Sequence, residues 1–170
     1  NDDVGAVEVV IDPTNSKIVY AGLWNARRPP WYTYSPTNGP GGGIWKSANN
    51  GVTWRPLFDD KDVAAFGMLA IAPSDTNVLY AGTGEPNSRN TIEPGAGVYK
   101  STNGGTTWSF IGLRETQHIG RIVVDPRNAN TVYVAALGPA WKSGGDRGLY
   151  KTTDGGTTWK LIKAPANDKT

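Results

Sequence analysis

The chain alternates short apolar runs with turn residues, and no segment keeps a helical period over a useful length. One arrangement stands out: a short apolar run, a proline turn, and a β-branched run that carries a tyrosine and closes on small residues. It occurs at 9–22, 69–82 and 122–135, and the tyrosine lies seven positions after the proline each time. Each copy therefore predicts two strands joined by a tight turn.

A second repeated segment, which we call the Trp box, follows each of these pairs. Its copies are GIWKSANNGVTW at 43–54, GVYKSTNGGTTW at 97–108 and GLYKTTDGGTTW at 148–159. The Asn or Asp side chain can accept from amides of its own turn, the glycines permit positive φ, and the threonine favours a return to a strand. The tryptophan offers a large apolar surface for burial beside or between units. The box is therefore interpreted as a structural hairpin, formed by Ser47, Asn49, Gly51, Thr53, Trp54, Ser101, Asn103, Gly105, Thr107, Trp108, Thr152, Asp154, Gly156, Thr158 and Trp159.

The two repeated segments together predict four short strands per unit and an all-β chain. Four-stranded antiparallel units that recur at a nearly fixed period indicate a β-propeller. We expect a single propeller segment over 1–170, with three blades at about 7–58, 64–112 and 118–163. Three blades leave strand edges open, so we expect a partial propeller or a fragment of a larger ring. Further blades of a parent chain, or a second copy, would complete it.

Composition excludes several classes of function. The net charge of +2 is small and scattered, which argues against nucleic acid, and no apolar stretch reaches the roughly 18 residues of a membrane span. The absence of Cys excludes disulfides and thiol chemistry, and one histidine cannot form a multi-histidine metal site. We therefore expect no metal and no cofactor. Because the chain begins with Asn1, a signal peptide could have been removed, which agrees with a secreted or extracytoplasmic location.

The Trp boxes resemble BNR or Asp-box repeats, through Ser-x-Asn-x-Gly-x-Thr-Trp at 47–54 and 101–108 and Thr-x-Asp-x-Gly-x-Thr-Trp at 152–159. Such repeats are found in sialidases, xyloglucanases, sortilin-type receptors and a photosystem assembly factor, all of them propellers. Two boxes depart from the pattern by carrying Asn for Asp, which still suits a turn. The neighbouring segments resemble those of bacterial sortilin-like Asp-box proteins; they are 23–28, 82–85, 116–121 and 134–138. The resemblance implies a propeller but no particular chemistry.

Function is expected on the face opposite the Trp boxes, where the connections are longer and differ from one another. Long variable loops on a rigid scaffold commonly carry binding residues. The richest is 24–42, whose arginines and aromatics would stack on sugar rings, hold a carboxylate or anchor a protein partner. The alternative is a loop that folds back on its own aromatic rings. The candidate binding residues here are Arg27, Arg28, Trp31, Tyr32 and Tyr34.

A second candidate binding cluster consists of Glu85, Arg89, Arg114 and His118. Glu85 ends a strand of small residues, where its carboxylate could face the propeller channel and serve as one of the pair that glycoside hydrolysis needs. An ion pair with Arg89 or Arg121 would explain the same residue. His118 is interpreted as a hydrogen-bonded structural residue at the entry to a blade rather than as a catalytic base.

The leading hypothesis is a non-enzymatic binding or scaffolding segment that engages a protein or glycan partner through its long connections. One alternative is a fragment of a polysaccharide-active glycoside hydrolase, xyloglucanase-like or sialidase-like. The sialidase version fits less well because the arginine motif that precedes the first box in that family is not recognisable. A further alternative is an accessory or assembly subunit of a larger complex.

Overall fold

The computed structural model describes residues 4–25, 42–61, 63, 65–87 and 92–165. These residues form three four-stranded antiparallel sheets, each built from four strands that are consecutive in the chain. The one helical element among them is a 3-10 turn at Arg114–Thr116. The predicted all-β propeller of four-stranded blades is therefore confirmed, with three blades present.

The strands follow the predicted repeats. The first sheet contains β1 (Val4–Ile11), β2 (Val19–Asn25), β3 (Gly43–Ser47) and β4 (Arg55–Pro56). The second contains β5 (Phe66–Ile71), β6 (Leu79–Thr83), β7 (Val98–Ser101) and β8 (Ser109–Gly112). The third contains β9 (Ile119–Asp125), β10 (Asn128–Leu137), β11 (Arg147–Thr152) and β12 (Lys160–Lys163).

The register between the second and third strands is the same in every blade. The repeated tyrosine pairs with the lysine of the Trp box, so that Tyr20 lies opposite Lys46. The lysine ammonium lies over the tyrosine ring, 4.9 Å from its centroid in this pair, which allows a cation–π interaction. The same pairing joins Tyr80 to Lys100 and Tyr133 to Lys151. The spacing of the sequence repeat thus becomes a constant strand register.

Each Trp box is closed by hydrogen bonds within its own turn. In the first box the Ser47 hydroxyl donates to Asn49 Oδ1 at 3.0 Å and accepts from the Gly51 amide at 2.8 Å. Asn49 Oδ1 also accepts from the Thr53 amide at 2.8 Å. The other two boxes repeat these bonds with Ser101, Asn103, Gly105 and Thr107, and with Thr152, Asp154, Gly156 and Thr158. The box is therefore a local turn whose geometry its own side chains specify.

Replacing Asp154 with asparagine is expected to leave the urea midpoint of unfolding nearly unchanged. Asn49 already closes the same turn, with its Nδ2 donating to Thr53 Oγ1 at 2.9 Å, whereas in the third box the Thr158 hydroxyl donates to Asp154 Oδ2 at 2.6 Å. Asp154→Ala removes the acceptor for the Thr158 amide and should lower the midpoint clearly. If both variants lowered the urea midpoint equally, the charge of Asp154 would matter more than the hydrogen bonds that close the turn.

The core lies between the blades. One cluster of buried apolar side chains joins the first blade to the second, and another joins the second to the third. Phe58 is 2% exposed at the centre of the first cluster, and it makes edge-to-face contacts with Phe66, Tyr99 and Trp108. Trp54 differs from Trp108: it is 39% exposed against 5%, because no described blade lies on its side of the first sheet.

One tyrosine links each blade to the next. The Tyr20 hydroxyl donates to the Gly104 carbonyl at 3.3 Å, and the Tyr80 hydroxyl donates to the Ala129 carbonyl at 2.8 Å. Burial raises the pKa of Tyr80 to about 12, and burial with the charge of Asp12 raises the pKa of Tyr20 to about 12. Both rings are fully enclosed, at 1% exposure or less.

These raised pKa values predict a loss of stability in alkali. Unfolded tyrosine releases its proton near pH 10, so between pH 10 and 12 the unfolded state binds fewer protons than the native state and the free energy of unfolding falls. The expected loss is about 2 kcal/mol for each ring after solvent screening. Lys46 and Lys100, whose pKa values burial lowers, contribute with the opposite sign. Urea unfolding against pH should therefore give a flatter curve for the Tyr20→Phe, Tyr80→Phe double variant, and parallel curves would contradict the prediction.

Candidate functional site

Three longer connections meet on the face opposite the Trp boxes, and we call this surface the long-connection face. They are 83–96, of which 83–87 and 92–96 are described, 112–118 and 137–147. The Gly95 amide donates to the Gln117 carbonyl at 2.6 Å, and the Gly138 amide donates to Thr116 Oγ1 at 3.0 Å. The central connection is therefore bonded to both of its neighbours.

The backbone of the central connection is unusual. Leu113 and Gln117 flank the 3-10 turn with φ values of 56° and 59°, in the left-handed region that non-glycine residues rarely adopt. The fully buried Thr116 lies between them, and its hydroxyl donates to the His118 carbonyl at 3.0 Å. The same carbonyl accepts from the Leu137 amide at 2.9 Å. These bonds hold the His118 backbone rigidly at the entry to the third blade.

Glu85 and His118, predicted to share one cluster, are in direct contact. Both are buried, at 8% and 3% exposure. The His118 ring is hydrogen-bonded to the backbone carbonyl of Glu85, while its Nδ1 is buried and has no hydrogen-bond partner within the described residues. The Glu85 carboxylate accepts from the Glu93 amide at 3.2 Å through Oε2. Nδ1 of His118 can therefore take part in a further hydrogen bond.

Burial lowers the pKa of His118 below its ordinary 6.5, and the charge of Arg147 lowers it further. The bond to the Glu85 carbonyl and the Glu85 charge act in the opposite direction but do not outweigh burial. The ring is therefore neutral at pH 7. A neutral imidazole has one N–H donor and one acceptor nitrogen, so each ring nitrogen can make one hydrogen bond.

A cavity of about 260 Å³ opens beside His118 between the connections. Its lining residues are Ile92, His118, Leu137, Gly138, Ala140, Trp141 and Arg147. Trp141 is 73% exposed at this cavity. The lining contains one permanent positive charge, on Arg147, and no carboxylate among the residues that the structure describes. The cavity thus combines an exposed indole, a cation and a neutral imidazole.

Backbone carbonyls hold the Arg147 guanidinium in place. Nη2 donates to the Pro139 carbonyl at 2.7 Å and to the Lys142 carbonyl at 3.3 Å. The guanidinium lies so close to Gly138 that a Cβ at that position would stand 2.8 Å from Nε. Gly138 also has a φ of 75°, so this close approach requires glycine.

A smaller cavity of about 90 Å³ lies at the junction of the first two blades. Its described lining includes Trp24, Phe66, Gly67 and Glu85. Glu85 therefore borders this cavity while its backbone carbonyl holds His118, which borders the larger one. The two cavities are neighbours along the long-connection face.

The structure brings some of the predicted site residues together and leaves others apart. Glu85 and His118 meet, but the Arg114 guanidinium lies 4.4 Å from the centroid of the Phe110 ring, outside the lining of both cavities. Arg27, Arg28, Trp31, Tyr32, Tyr34 and Arg89 lie outside the described residues. Trp141 and Arg147 were missed as individual candidates, although their connection was among those expected to carry function. An isolated tryptophan between Pro139 and a glycine pair is the signal that would have pointed to them.

The described part of the chain lacks a metal-binding cluster and a membrane-spanning helix. It holds no group of three or more His, Asp or Glu side chains able to bind a metal ion. Across the same residues, no helix is long and apolar enough to cross a bilayer.

No family model matches the chain. It is nevertheless 30% identical to a xyloglucanase of Hypocrea jecorina over 129 residues, which cover 71% of this chain and 14% of that protein. It is 28% identical to xyloglucanase Xgh74A of Acetivibrio thermocellus over 192 aligned positions, which cover 93% of this chain and 20% of that protein. The chain therefore spans a fifth or less of these two relatives.

Solved structures agree with this similarity. The GH74 enzyme of Niastella koreensis matches 95% of this chain and 22% of its own, with a TM-score of 0.64 at 26% identity. An ancestral GH74 enzyme matches with a TM-score of 0.65 at 24% identity, which supports the fold alone. These similarities favour the glycoside-hydrolase alternative over the non-enzymatic hypothesis that led the sequence interpretation.

Proposed function

We propose that this chain is the glycan-binding part of a xyloglucanase-like propeller, and that it binds xyloglucan oligosaccharides on the long-connection face. Similarity to xyloglucanases along most of the chain is the observation that carries the proposal. The exposed Trp141 supplies what a sugar-binding surface needs, a flat aromatic ring beside polar groups. The closer resemblance to sortilin-like Asp-box proteins and the extracytoplasmic location remain predictions.

Hydrolysis is assigned to a longer protein rather than to these three blades. Glycosidases use two carboxylates, about 5 to 9.5 Å apart, on either side of the scissile bond. Among the described residues that line the two cavities, Glu85 supplies one carboxylate. The two cavities therefore offer a binding surface and, among the described residues that line them, one carboxylate of such a pair. A purely scaffolding role, in which the same face holds a protein partner, is the second candidate.

Titration with xyloglucan oligosaccharides, followed by calorimetry, tests the proposal. Saturable binding is expected, and Trp141→Ala should weaken it by about tenfold through the loss of ring stacking. Trp54→Ala is the matched control, because Trp54 is also partly exposed but lies in a Trp box. No binding at millimolar oligosaccharide, or equal losses in the two variants, would contradict the proposal. Release of new reducing ends by these three blades alone would contradict the assignment of hydrolysis to a longer protein.

A further inference from the structure

The cavity beside His118 carries chemistry that a neutral glycan does not explain. Arg147 lines it without a carboxylate partner among the described residues. Two backbone carbonyls already engage Nη2, which leaves the two N–H groups of Nη1 without an acceptor in the described part of the chain. A half-buried guanidinium with donors to spare is a site for an anion.

Two further features of the same cavity determine the shape and polarity of that anion. Trp141 presents a flat apolar face to a ring. Nδ1 of His118 is buried and lacks a partner among the described residues, and such groups cost free energy unless a partner satisfies them. A hydroxyl delivered through the cavity that His118 lines would supply this partner, because a hydroxyl both donates and accepts. The ligand therefore needs a ring, a negative charge and a hydroxyl group.

The size of the cavity restricts the ligand to one ring. A volume of about 260 Å³ lies below the roughly 300 to 1,000 Å³ of pockets that hold drug-sized molecules. It is several times the volume of one water, about 30 Å³. One six-membered ring with its substituents fits such a space, whereas a branched oligosaccharide would have to extend outside it.

From these features we infer that the His118–Trp141–Arg147 cavity is a subsite for a hexuronic acid residue. The carboxylate accepts from Arg147, the ring stacks on Trp141, and a ring hydroxyl forms a hydrogen bond with His118 Nδ1. The inference rests on the proposed function in taking a glycan as the ligand, and it adds an acidic sugar as the unit recognised at this position.

Glucuronate and methyl glucoside are the two probes that test the charge. Glucuronate is expected to bind at least about tenfold more tightly than methyl glucoside, since hydrogen bonds to charged groups are worth that much or more. Arg147→Gln should remove this preference, while Arg114→Gln, an arginine outside the cavity, should keep it. If Arg147→Gln proves unstable, the unmodified chain should still show glucuronate affinity that falls with added salt while that for methyl glucoside does not.

The single histidine gives an independent readout. In long-range ¹H–¹⁵N spectra, the Nδ1 resonance of His118 is expected to shift when glucuronate binds. Benzoate, which has a ring and a carboxylate but no hydroxyl, should leave it in place. Equal affinity for glucuronate and methyl glucoside, or an Nδ1 signal that ignores glucuronate, would overturn the inference.

The inference and the proposed function fail separately. Binding of xyloglucan oligosaccharides without binding of glucuronate would overturn the subsite and leave the proposed function intact. Arg147-dependent binding of glucuronate without binding of xyloglucan oligosaccharides would support the subsite and overturn the proposed function.

Discussion

Replacing Gly84 with alanine is expected to lower the free energy of unfolding by about 3 to 5 kcal/mol, or to prevent folding altogether. Gly84 has a φ of 85°, which strains any side chain, and its Cβ would fall on the carbonyl oxygen of Gln117. Because that carbonyl belongs to backbone held by the Gly95 amide at 2.6 Å, it cannot swing away as a flexible side chain would. The close approach also places Glu85 against His118, so the variant should lose ligand binding as well.

Gly144→Ala is the matched control for this prediction. Gly144 has a nearly identical φ of 79°, but nothing lies within 4 Å of the position that a Cβ would take there. Gly144→Ala should therefore lower the free energy of unfolding only by the backbone strain, about 1 to 2 kcal/mol. Urea unfolding of both variants separates the two contributions. Similar losses would mean that the collision at Gly84 is relieved and that the loops are less rigidly joined than their hydrogen bonds indicate.

Phe58→Ala is expected to lower the free energy of unfolding by about 3 to 5 kcal/mol, the range for removing a buried aromatic ring. Phe58 lies outside the regular strands, shortly after β4, and its ring contacts three aromatic rings of the second blade at centroid distances of 4.9 to 5.3 Å. Truncation would open a cavity where the first blade joins the second. The loss should therefore appear as an uncoupling of the two blades, with earlier hydrogen exchange on both sides of the junction.

Phe110→Ala serves as the control for Phe58→Ala. Phe110 is the same residue type and also contacts Tyr99 edge to face, at 5.6 Å, but it is 41% exposed. Its truncation should cost about 1 kcal/mol. If the two variants lose the same free energy by urea unfolding, the junction between the blades is not the centre of stability that its packing indicates.

The site is only partly predictable from sequence. The 137–147 connection is recognisable as long and divergent, and the sequence groups Glu85 with His118, whose ring contacts the Glu85 backbone. Sequence alone does not predict the residues that complete the cavity, because Trp141 and Arg147 reach His118 only when the 137–147 connection folds over the entry to its own blade. Arg114, close to His118 in sequence, instead lies over Phe110. Proximity along the chain does not report proximity in the fold.

The blades can be derived from the amino-acid sequence without a structure. Each Trp box closes through hydrogen bonds between residues two and four positions apart, and each tyrosine meets its lysine through a constant strand register. Interactions of such short range leave a period that is visible in the chain itself. The cavity, in contrast, depends on the assembled fold. The surroundings of His118 are set by the left-handed backbone of Gln117, by Gly138 beneath Arg147, and by the Glu85 carbonyl of the preceding blade. Contacts between blades depend on rigid packing of whole sheets, and no repeated pattern in the sequence records them.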